Sequence, residues 1–234
     1  MPEIRRTVTI VTSDLMGSTA LGEQLDPESL REVLTLYFDE MRRVFESHGG
    51  TIEKIIGDAI VAVFGLPTRG EDDALRAVRA AAETQAAVAG LNEQLDRRWG
   101  IRLINRTGIA TGEVVVGAAD AGEHILTGTV VQLANRLEVS APPTGILIGE
   151  PTYEIVADRV TVEAAEPVVL RGSSESVRAY RLVSVKLPDE AEAISHPGAE
   201  NPDAKTCSNC GTLNPLDFRR CGSCGAFLTS RRSQ

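Results

Sequence analysis

The feature that most constrains the fold is a pair of short apolar segments, 51–56 and 59–64, that meet at Gly57-Asp58. A Gly-Asp pair between two β-rich segments is typical of a tight hairpin turn. A segment with helical periodicity lies on each side of this hairpin, and a further β-rich segment precedes the first of them. The pattern therefore favours layers of helix on sheet.

Two long helices are predicted. The first begins at Asp26-Pro27, because aspartate is a favoured N-cap and proline a favoured first helical residue, and Gly49-Gly50 ends it. The second runs from about Asp72 to Asp96. Each has an apolar face at helical spacing, made of Leu30, Val33, Leu34, Tyr37, Phe38, Met41, Val44 and Phe45 in the first and of Ala74, Ala77, Val78, Ala81, Val88, Leu91 and Leu95 in the second.

The order of these segments predicts the fold class. A strand near 6–14 precedes the first helix, and two more strands are expected near 102–111 and 113–117. The order strand-helix-strand-strand-helix-strand is typical of the ferredoxin-like split βαβ core. We expect an α/β (α+β) domain of this type.

The composition narrows the classes of protein. A chain of 234 residues with 42% hydrophobic content can bury a proper core. A net charge of −9 and a pI near 5.0 argue against non-specific binding to nucleic acid or to an anionic membrane. The apolar run 59–66 is far shorter than the roughly 20 residues of a membrane helix, and the N-terminus lacks a secretory pattern. We expect a cytoplasmic protein with no membrane insertion and no nucleic-acid partner.

The four cysteines, Cys207, Cys210, Cys221 and Cys224, form two C-x2-C-G motifs near the end of the chain. This spacing predicts a zinc ribbon with one structural Zn²⁺. The alternative, two disulfides, fits poorly with a chain that lacks a secretory pattern. So short a segment has little core, and metal binding would supply much of its folding free energy. We expect it to contact an unknown protein partner.

The predicted organisation has three parts. Residues 1–185 form the large domain, and residues 206–228 form the zinc ribbon. Residues 186–205 are rich in proline, glycine and acidic side chains, with almost nothing to bury. We predict a flexible linker there.

Asp14 and Asp58 each lie where a predicted strand ends. Two carboxylates at neighbouring strand ends would suit a hard divalent cation, because Mg²⁺ takes a few oxygen ligands and keeps the rest of its shell for water and phosphates. The alternative is that Asp14 caps the next segment and Asp58 only makes the turn.

Four segments in order, 11–19, 48–65, 106–117 and 128–138, resemble the successive motifs of the class III adenylate and guanylate cyclases. The resemblance covers about residues 4–185. It implies conversion of a nucleoside triphosphate to a cyclic nucleotide and pyrophosphate, with two Mg²⁺ or Mn²⁺ ions per active site. It also implies that Asp14, Asp58 and the backbone carbonyl of Leu15 are the metal ligands.

The resemblance assigns the triphosphate to the loop of Gly17, Ser18 and Thr19, where free backbone N–H groups can take up phosphate oxygens. The alternative for this loop is an ordinary helix cap. Arg171 stands where relatives often carry lysine and is assigned to the triphosphate. A solvated strand end is the alternative for Arg171.

The resemblance also implies base selection. Lys54 occupies the position of the lysine that accompanies adenine selection, and lysine can donate to N1 of adenine, whereas guanine has a donor there. This favours ATP. The alternative is that Lys54 solvates a strand edge. The second purine-contacting position falls on Ile125, where better studied members have Asp or Thr.

Arg136 is implied to stabilise the phosphoryl transition state, because a guanidinium matches phosphate geometry. Gln132 stands in place of an asparagine that orients the ribose. Its amide is one methylene further out, and a catalytic group misplaced by about 1 Å can cost on the order of a hundredfold. Thr129 replaces an aspartate, and the alternative reading of Thr129 with Gln132 is a capping box.

In this family each active site combines residues of two subunits, so the resemblance implies a head-to-tail homodimer, or pairing with another cyclase chain. Three hypotheses follow. The chain is an adenylate cyclase, a weakened cyclase-like module that binds nucleotide and signals through the ribbon, or a zinc-ribbon adaptor whose large domain only oligomerises. The adaptor hypothesis leaves both aspartates unexplained.

Overall fold

A computed structural model of the chain describes residues 4–118, 124–170, 176–186, 204–206 and 213–215. The chain divides into two compact units, residues 1–186 and 187–234. The four cysteines and most of the predicted linker lie outside the described residues.

The first unit is a single mixed sheet with helices on its faces. In chain order its elements are β1 (Ile4–Leu15), α1 (Ser18–Gln24), α2 (Pro27–Ser47), β2 (Thr51–Ile56), β3 (Ala59–Phe64), α3 (Asp73–Trp99), β4 (Asn105–Ala118), β5 (His124–Thr127), α4 (Thr129–Ser140), β6 (Ile146–Gly149), α5 (Glu150–Val156), β7 (Val160–Val169) and β8 (Ser176–Val185). The sheet order is β2-β3-β1-β4-β6-β8-β7, with β5 paired to β4. Strands β1 to β4 are antiparallel in the order β2-β3-β1-β4, which confirms the predicted fold class.

The predicted start of the first long helix is confirmed. Asp26 is the N-cap of α2, its carboxylate accepts a hydrogen bond of 2.9 Å from the backbone N–H of Ser29, and Pro27 is the first helical residue. The helix ends at Ser47, and Gly49 follows with a φ of 75°. That left-handed conformation is why glycine is favoured there.

The prediction of two separate strands near 102–111 and 113–117 was wrong. Asn105–Ala118 is one strand of 14 residues, and it pairs with β1 from Ile4 to Leu15. Gly112, which lies between the two predicted strands, is extended and lies opposite Val8. Its missing side chain leaves room for Val130, whose Cβ would lie 3.2 Å from a Cβ at position 112. Glycine here allows close helix packing rather than a turn.

The sheet has apolar cores on its two faces. On one face, Val11 and Leu15 pack with α2 and α3. On the other, Val8 and Ile10 pack with α4. Because successive side chains of a strand point to opposite faces, Asp14 lies on the α4 face.

Gly108 sets the distance between α4 and the sheet. A Cβ at this position would lie 2.2 Å from the backbone oxygen of Ala134 and 2.3 Å from the backbone nitrogen of Glu138. Both neighbours are helix backbone, which cannot yield as a flexible side chain does. The absence of a side chain at Gly108 therefore lets α4 lie directly on β4, at the end of the sheet that carries Asp14.

In the second unit, the described residues form a two-stranded antiparallel sheet of β9 (Ala204–Thr206) and β10 (Leu213–Pro215). Within the described parts of the chain, no helix is long and apolar enough to cross a membrane.

Candidate functional site

The carboxylates of Asp14 and Asp58 lie together. Asp14 is the penultimate residue of β1 and pairs in register with Ala59, the first residue of β3. Asp58 immediately precedes Ala59 in the two-residue turn between β2 and β3, where Gly57 has a φ of 63°. Pairing of β1 with β3 therefore brings two residues 44 positions apart in sequence to one edge of the sheet.

Full ionisation of both carboxyl groups is unfavourable at this site. The pKa of Asp14 is raised above its ordinary value, first by burial and then by the charge of Asp58, with a side-chain hydrogen bond between the two carboxyl groups acting in the same direction. The nearby Arg106 opposes this shift. The site therefore holds excess negative charge that a bound cation would neutralise.

The oxygen donors present suit a hard divalent cation. Among the described residues, no group of three or more His, Cys, Asp and Glu side chains is arranged to hold a metal ion. Two carboxylates alone fit Mg²⁺ or Mn²⁺, because these ions leave several positions for water and phosphate oxygens. Leu15, which follows Asp14 and ends β1, has a buried side chain.

Arg106 is the arginine that contacts Asp14, and sequence reasoning assigned it no role. It lies directly opposite Asp14 in the pairing of β1 with β4, and its Nη2 lies 3.4 Å from Asp14 Oδ2. Its Nε lies 2.6 Å from Glu138 Oε1 on α4. The signal that could have identified it is an arginine in a predicted core strand, because an unpaired charge is rarely buried.

Glu138 is nearly buried beside this arginine, with 7% of its side chain exposed. Burial, together with the charges of Asp14 and Asp58, raises the pKa of Glu138 to about 7, although Arg106 acts to lower it. The carboxyl group is thus only partly ionised near neutral pH.

Gln132 and Arg136 lie on the outward side of α4, next to a cavity of about 360 Å³ that is also lined by Asn135 and Val139. These four positions are spaced as one helical stripe. The capping-box alternative for Thr129 with Gln132 is wrong, because Gly128 is the N-cap of α4 and has no side chain to contribute. Gln132 is exposed and lines the cavity.

Lys54 lies on the edge strand β2, close to the turn that holds Asp58. Its Nζ is 3.2 Å from Glu53 Oε2, and the side chains are 40% and 10% exposed. Neighbouring residues of a strand normally face opposite ways. The register of β2 with β3 shifts between Ile52 and Lys54, which disturbs that alternation and lets the two charged groups meet.

The predicted phosphate loop follows β1. Gly17 has a φ of 76° and is the N-cap of α1, which spans Ser18–Gln24 and begins with Ser18 and Thr19. Arg171 and the four cysteines lie outside the described residues. The backbone of Ile125 belongs to β5, which pairs with β4, while its side chain is outside the described part.

The chain matches the model of the adenylate and guanylate cyclase catalytic domain over residues 2–184. Among curated proteins, it is 28% identical over 187 residues to adenylate cyclase 1 of Rhizobium meliloti, which covers 77% of this chain and 28% of that protein. It is 31% identical over 183 residues to an uncharacterized protein of Mycobacterium tuberculosis, covering 74% of this chain and 32% of that one. The chain thus spans about a third of the length of these relatives.

Solved structures show the same fold. The adenylyl cyclase CyaB from P. aeruginosa superimposes with a TM-score of 0.75 at 31% identity, covering 80% of this chain and 98% of that one. The guanylyl cyclase Cya2 superimposes with a TM-score of 0.76 at 38% identity, covering 81% of this chain and 98% of that one. From the match over residues 2–184 and these structures, the chain belongs to the family of adenylate and guanylate cyclase catalytic domains.

Proposed function

We propose that the chain is an adenylate cyclase that converts ATP to 3',5'-cyclic AMP and pyrophosphate at the interface of a homodimer. The observation that carries the proposal is the meeting of Asp14 and Asp58 at one edge of the sheet, with excess negative charge. In the reaction the ribose 3'-oxygen bonds to the α-phosphorus, the bond from that phosphorus to pyrophosphate breaks, and the hydroxyl proton is released. The protein therefore needs to fold the substrate and balance charge rather than supply a nucleophile.

Asp14 and Asp58, with the backbone carbonyl of Leu15, would hold the two Mg²⁺ or Mn²⁺ ions. When bound, such ions lower the pKa of the attacking hydroxyl and neutralise charge on the phosphate oxygens. Gly17, Ser18 and Thr19 follow directly and would bind phosphate oxygens through their backbone N–H groups. Arg171 would add a further contact to the triphosphate.

Side chains of helix α4 would contact the ribose and the reacting phosphate of the substrate. Arg136 would stabilise charge that develops on the phosphoryl oxygens, since a guanidinium can donate two parallel hydrogen bonds to phosphate. Gln132, one turn earlier on the same stripe, would orient the ribose. Both line the cavity on the outward side of α4, which supports a substrate located there.

ATP is the proposed substrate because Lys54 can donate to N1 of adenine. Ile125 would add an apolar contact to the purine. Glu53 supports GTP as a second candidate. Its carboxylate lies beside Lys54 at 3.2 Å, and a carboxylate can accept the N1–H and N2–H₂ protons of guanine.

The proposed active site combines two chains. The cavity of Gln132 and Arg136 is lined by residues of α4, whereas Asp14 contacts Arg106 of its own chain. A second copy would bring its own Asp14 and Asp58 to that cavity, and the two-fold relation would create two such sites. Pairing with another cyclase chain would use the same surfaces.

A weakened cyclase is the second function that an observation favours. Gln132 is one methylene longer than the asparagine that the family motif places there, and this could lower turnover by up to about a hundredfold. Such a module would bind nucleotide and signal through the zinc ribbon.

The experiment that tests the proposal is product analysis. The full chain is incubated with ATP or GTP and Mn²⁺ or Mg²⁺, and the products are separated by chromatography. Formation of cyclic AMP and pyrophosphate supports the proposal. Cyclic GMP as the main product would reassign the substrate, and nucleotide binding with no cyclic product from either substrate would contradict the proposed activity.

For the second unit we propose one Zn²⁺ held by Cys207, Cys210, Cys221 and Cys224, in a module that binds a protein partner inside the cytoplasm. The support is the repeated C-x2-C-G spacing. Native mass spectrometry should detect one zinc per chain, lost on Cys207→Ser with Cys210→Ser. Retention of one zinc per chain in the double variant would contradict this ligand set.

A further inference from the structure

The guanidinium of Arg106 contacts both the carboxylate pair and helix α4. Nη2 lies 3.4 Å from Asp14 Oδ2, Nε lies 2.6 Å from Glu138 Oε1, and Nη1 donates a hydrogen bond of 3.1 Å to the backbone oxygen of Val139. One side chain of β4 therefore contacts acceptor oxygens on β1 and on α4.

Arg106 does not fit both carboxylates equally well. A charge-assisted hydrogen bond is usually about 2.7–2.9 Å long, so the contact of 3.4 Å with Asp14 is loose. The contact with Glu138 is short, but the N–H is not aligned with the oxygen, and both atoms are buried. Since misaligned buried groups gain from alignment, Arg106 would improve its pairing with Glu138 if it no longer had to reach Asp14.

The contact with Val139 lies at the end of α4. The helix spans Thr129–Ser140, so the carbonyl of Val139 is among the last four, which lack partners inside the helix. A cation there also opposes the negative end of the helix dipole. Arg106 therefore acts as a C-terminal cap of the helix that carries Gln132 and Arg136.

We propose that Arg106 is a positioning residue that shifts from Asp14 to Glu138 when a divalent cation binds Asp14 and Asp58, and so tightens the last turn of α4. The cation takes the charge of Asp14 and repels the guanidinium, while Glu138 and the carbonyl of Val139 remain as acceptors.

This inference rests on the proposed cation role of the carboxylate pair. In the proposed dimer, α4 of a chain serves one active site while Asp14 and Asp58 of that chain serve the other. Arg106 contacts both Asp14 and α4 of its own chain. Cation binding at one active site would therefore alter the helix that serves the other active site of the dimer. Coupling of this kind requires an element with two arrangements. In the proposal these are Arg106 shared between Asp14 and Glu138 without cation, and Arg106 aligned with Glu138 when the cation is bound.

The first test measures cation affinity without nucleotide or turnover. Mn²⁺ binding to the full chain at pH 8 is followed by electron paramagnetic resonance. Arg106→Gln removes a positive charge next to the pair and should bind Mn²⁺ about tenfold more tightly. Arg106→Lys keeps the charge and should stay within about threefold of the original protein.

Arg178→Gln is the matched control, because it changes the net charge equally on β8, where Arg178 pairs with Glu150 at the surface. Its Mn²⁺ affinity should not change. Equal affinities of Arg106→Gln and Arg178→Gln would overturn the proposal. If Arg106→Gln fails to fold, a large loss of affinity in Arg106→Lys would overturn it instead, because the conservative variant keeps the charge.

The second test follows α4 itself. Backbone hydrogen exchange over residues 129–140 is measured with and without saturating Mn²⁺. The last turn should exchange several-fold more slowly with Mn²⁺ in the original protein, and Glu138→Gln should abolish this slowing. Slowing that persists in Glu138→Gln would overturn the shift of Arg106. Absence of any Mn²⁺ binding would instead contradict the cation role in the proposed function, and the inference with it.

Discussion

The hydroxyl of Thr12 donates a hydrogen bond of 3.0 Å to the side-chain oxygen of Asn135, and this bond joins β1 to α4 next to both halves of the proposed chemistry. Thr12 is two residues before Asp14, and Asn135 is one residue before Arg136. The contact therefore fixes the outward stripe of α4 relative to the strand that carries Asp14.

Loss of this bond should harm turnover more than stability. Asn135→Ala and Thr12→Val each remove one partner, at a cost of about 1 kcal/mol in the free energy of unfolding. We expect kcat to fall about tenfold, with little change in KM for ATP, because the position of Arg136 shifts. Chemical denaturation and steady-state kinetics check this. Two independent effects that simply add in the double variant would contradict a shared bond.

Asp58→Asn should raise the stability of the fold and lower the cyclase activity. The substitution removes one of two close like charges, so the unfolding temperature without divalent cations should rise by about 2–4 °C, equivalent to about 1 kcal/mol. Cyclase activity with Mn²⁺ should fall at least about a hundredfold, since a metal ligand is lost. Asp39→Asn, at an exposed position of α2, should change neither quantity. A drop in unfolding temperature would show that the charges do not repel.

Gln132→Asn should raise turnover. The shorter side chain returns the amide by one methylene, and up to about a hundredfold in kcat could be recovered. The helix should not be disturbed, because Gln132 is exposed on the outward face of α4. Single-turnover measurement with ATP reports the chemical step. A lower kcat in Gln132→Asn would indicate that the longer side chain already fits its substrate.

Mixed dimers should recover activity if the sites are shared. Asp58→Ala and Arg136→Ala should each be nearly inactive alone. A mixture of the two forms one site with both residues intact in each heterodimer. Up to about a quarter of the original activity is expected after exchange of subunits, since half of the dimers are mixed and each keeps one of two sites. No recovery, with exchange verified by mass spectrometry, would contradict composite sites.

Glu138 should make stability depend on pH. Burial and the charges of Asp14 and Asp58 raise its pKa from the ordinary value of 4.5 to about 7. The folded protein therefore binds more protons than the unfolded chain between these values, and this contribution to stability is lost as the pH rises through the window. Glu138→Gln should reduce the loss of unfolding free energy between pH 5 and pH 8 by on the order of 1–3 kcal/mol. An identical pH profile for both proteins would contradict the shift.

The fold was largely predictable because its signals are local. The N-cap and proline at Asp26-Pro27 and the turn at Gly57-Asp58 depend on residues adjacent in sequence, and the structure confirms both. The single strand 105–118 was predicted as two strands on either side of Gly112, and its glycine makes room for Val130 of α4, which only the contact between distant residues shows.

The candidate site was predictable only in part. Asp14 and Asp58 were found because each ends a strand. Arg106 and Glu138 were given no role, because their importance arises from the closeness of α4 to β4, and that depends on contacts between residues distant in sequence. The ion pair between Glu53 and Lys54 was missed for the same reason. The register shift that permits it depends on the pairing of β2 with β3.

The close contact of Gly108 with α4 constrains the side of the helix that faces the sheet, but not its outward side. A methyl group at that position would collide with helix backbone, so the helix cannot change its height above the sheet without loss of its packing. A change at the exposed position 132 on the outward stripe meets no such barrier. Evolution can therefore retune the chemistry of this domain from the outer side of one helix while the architecture beneath it stays as it is.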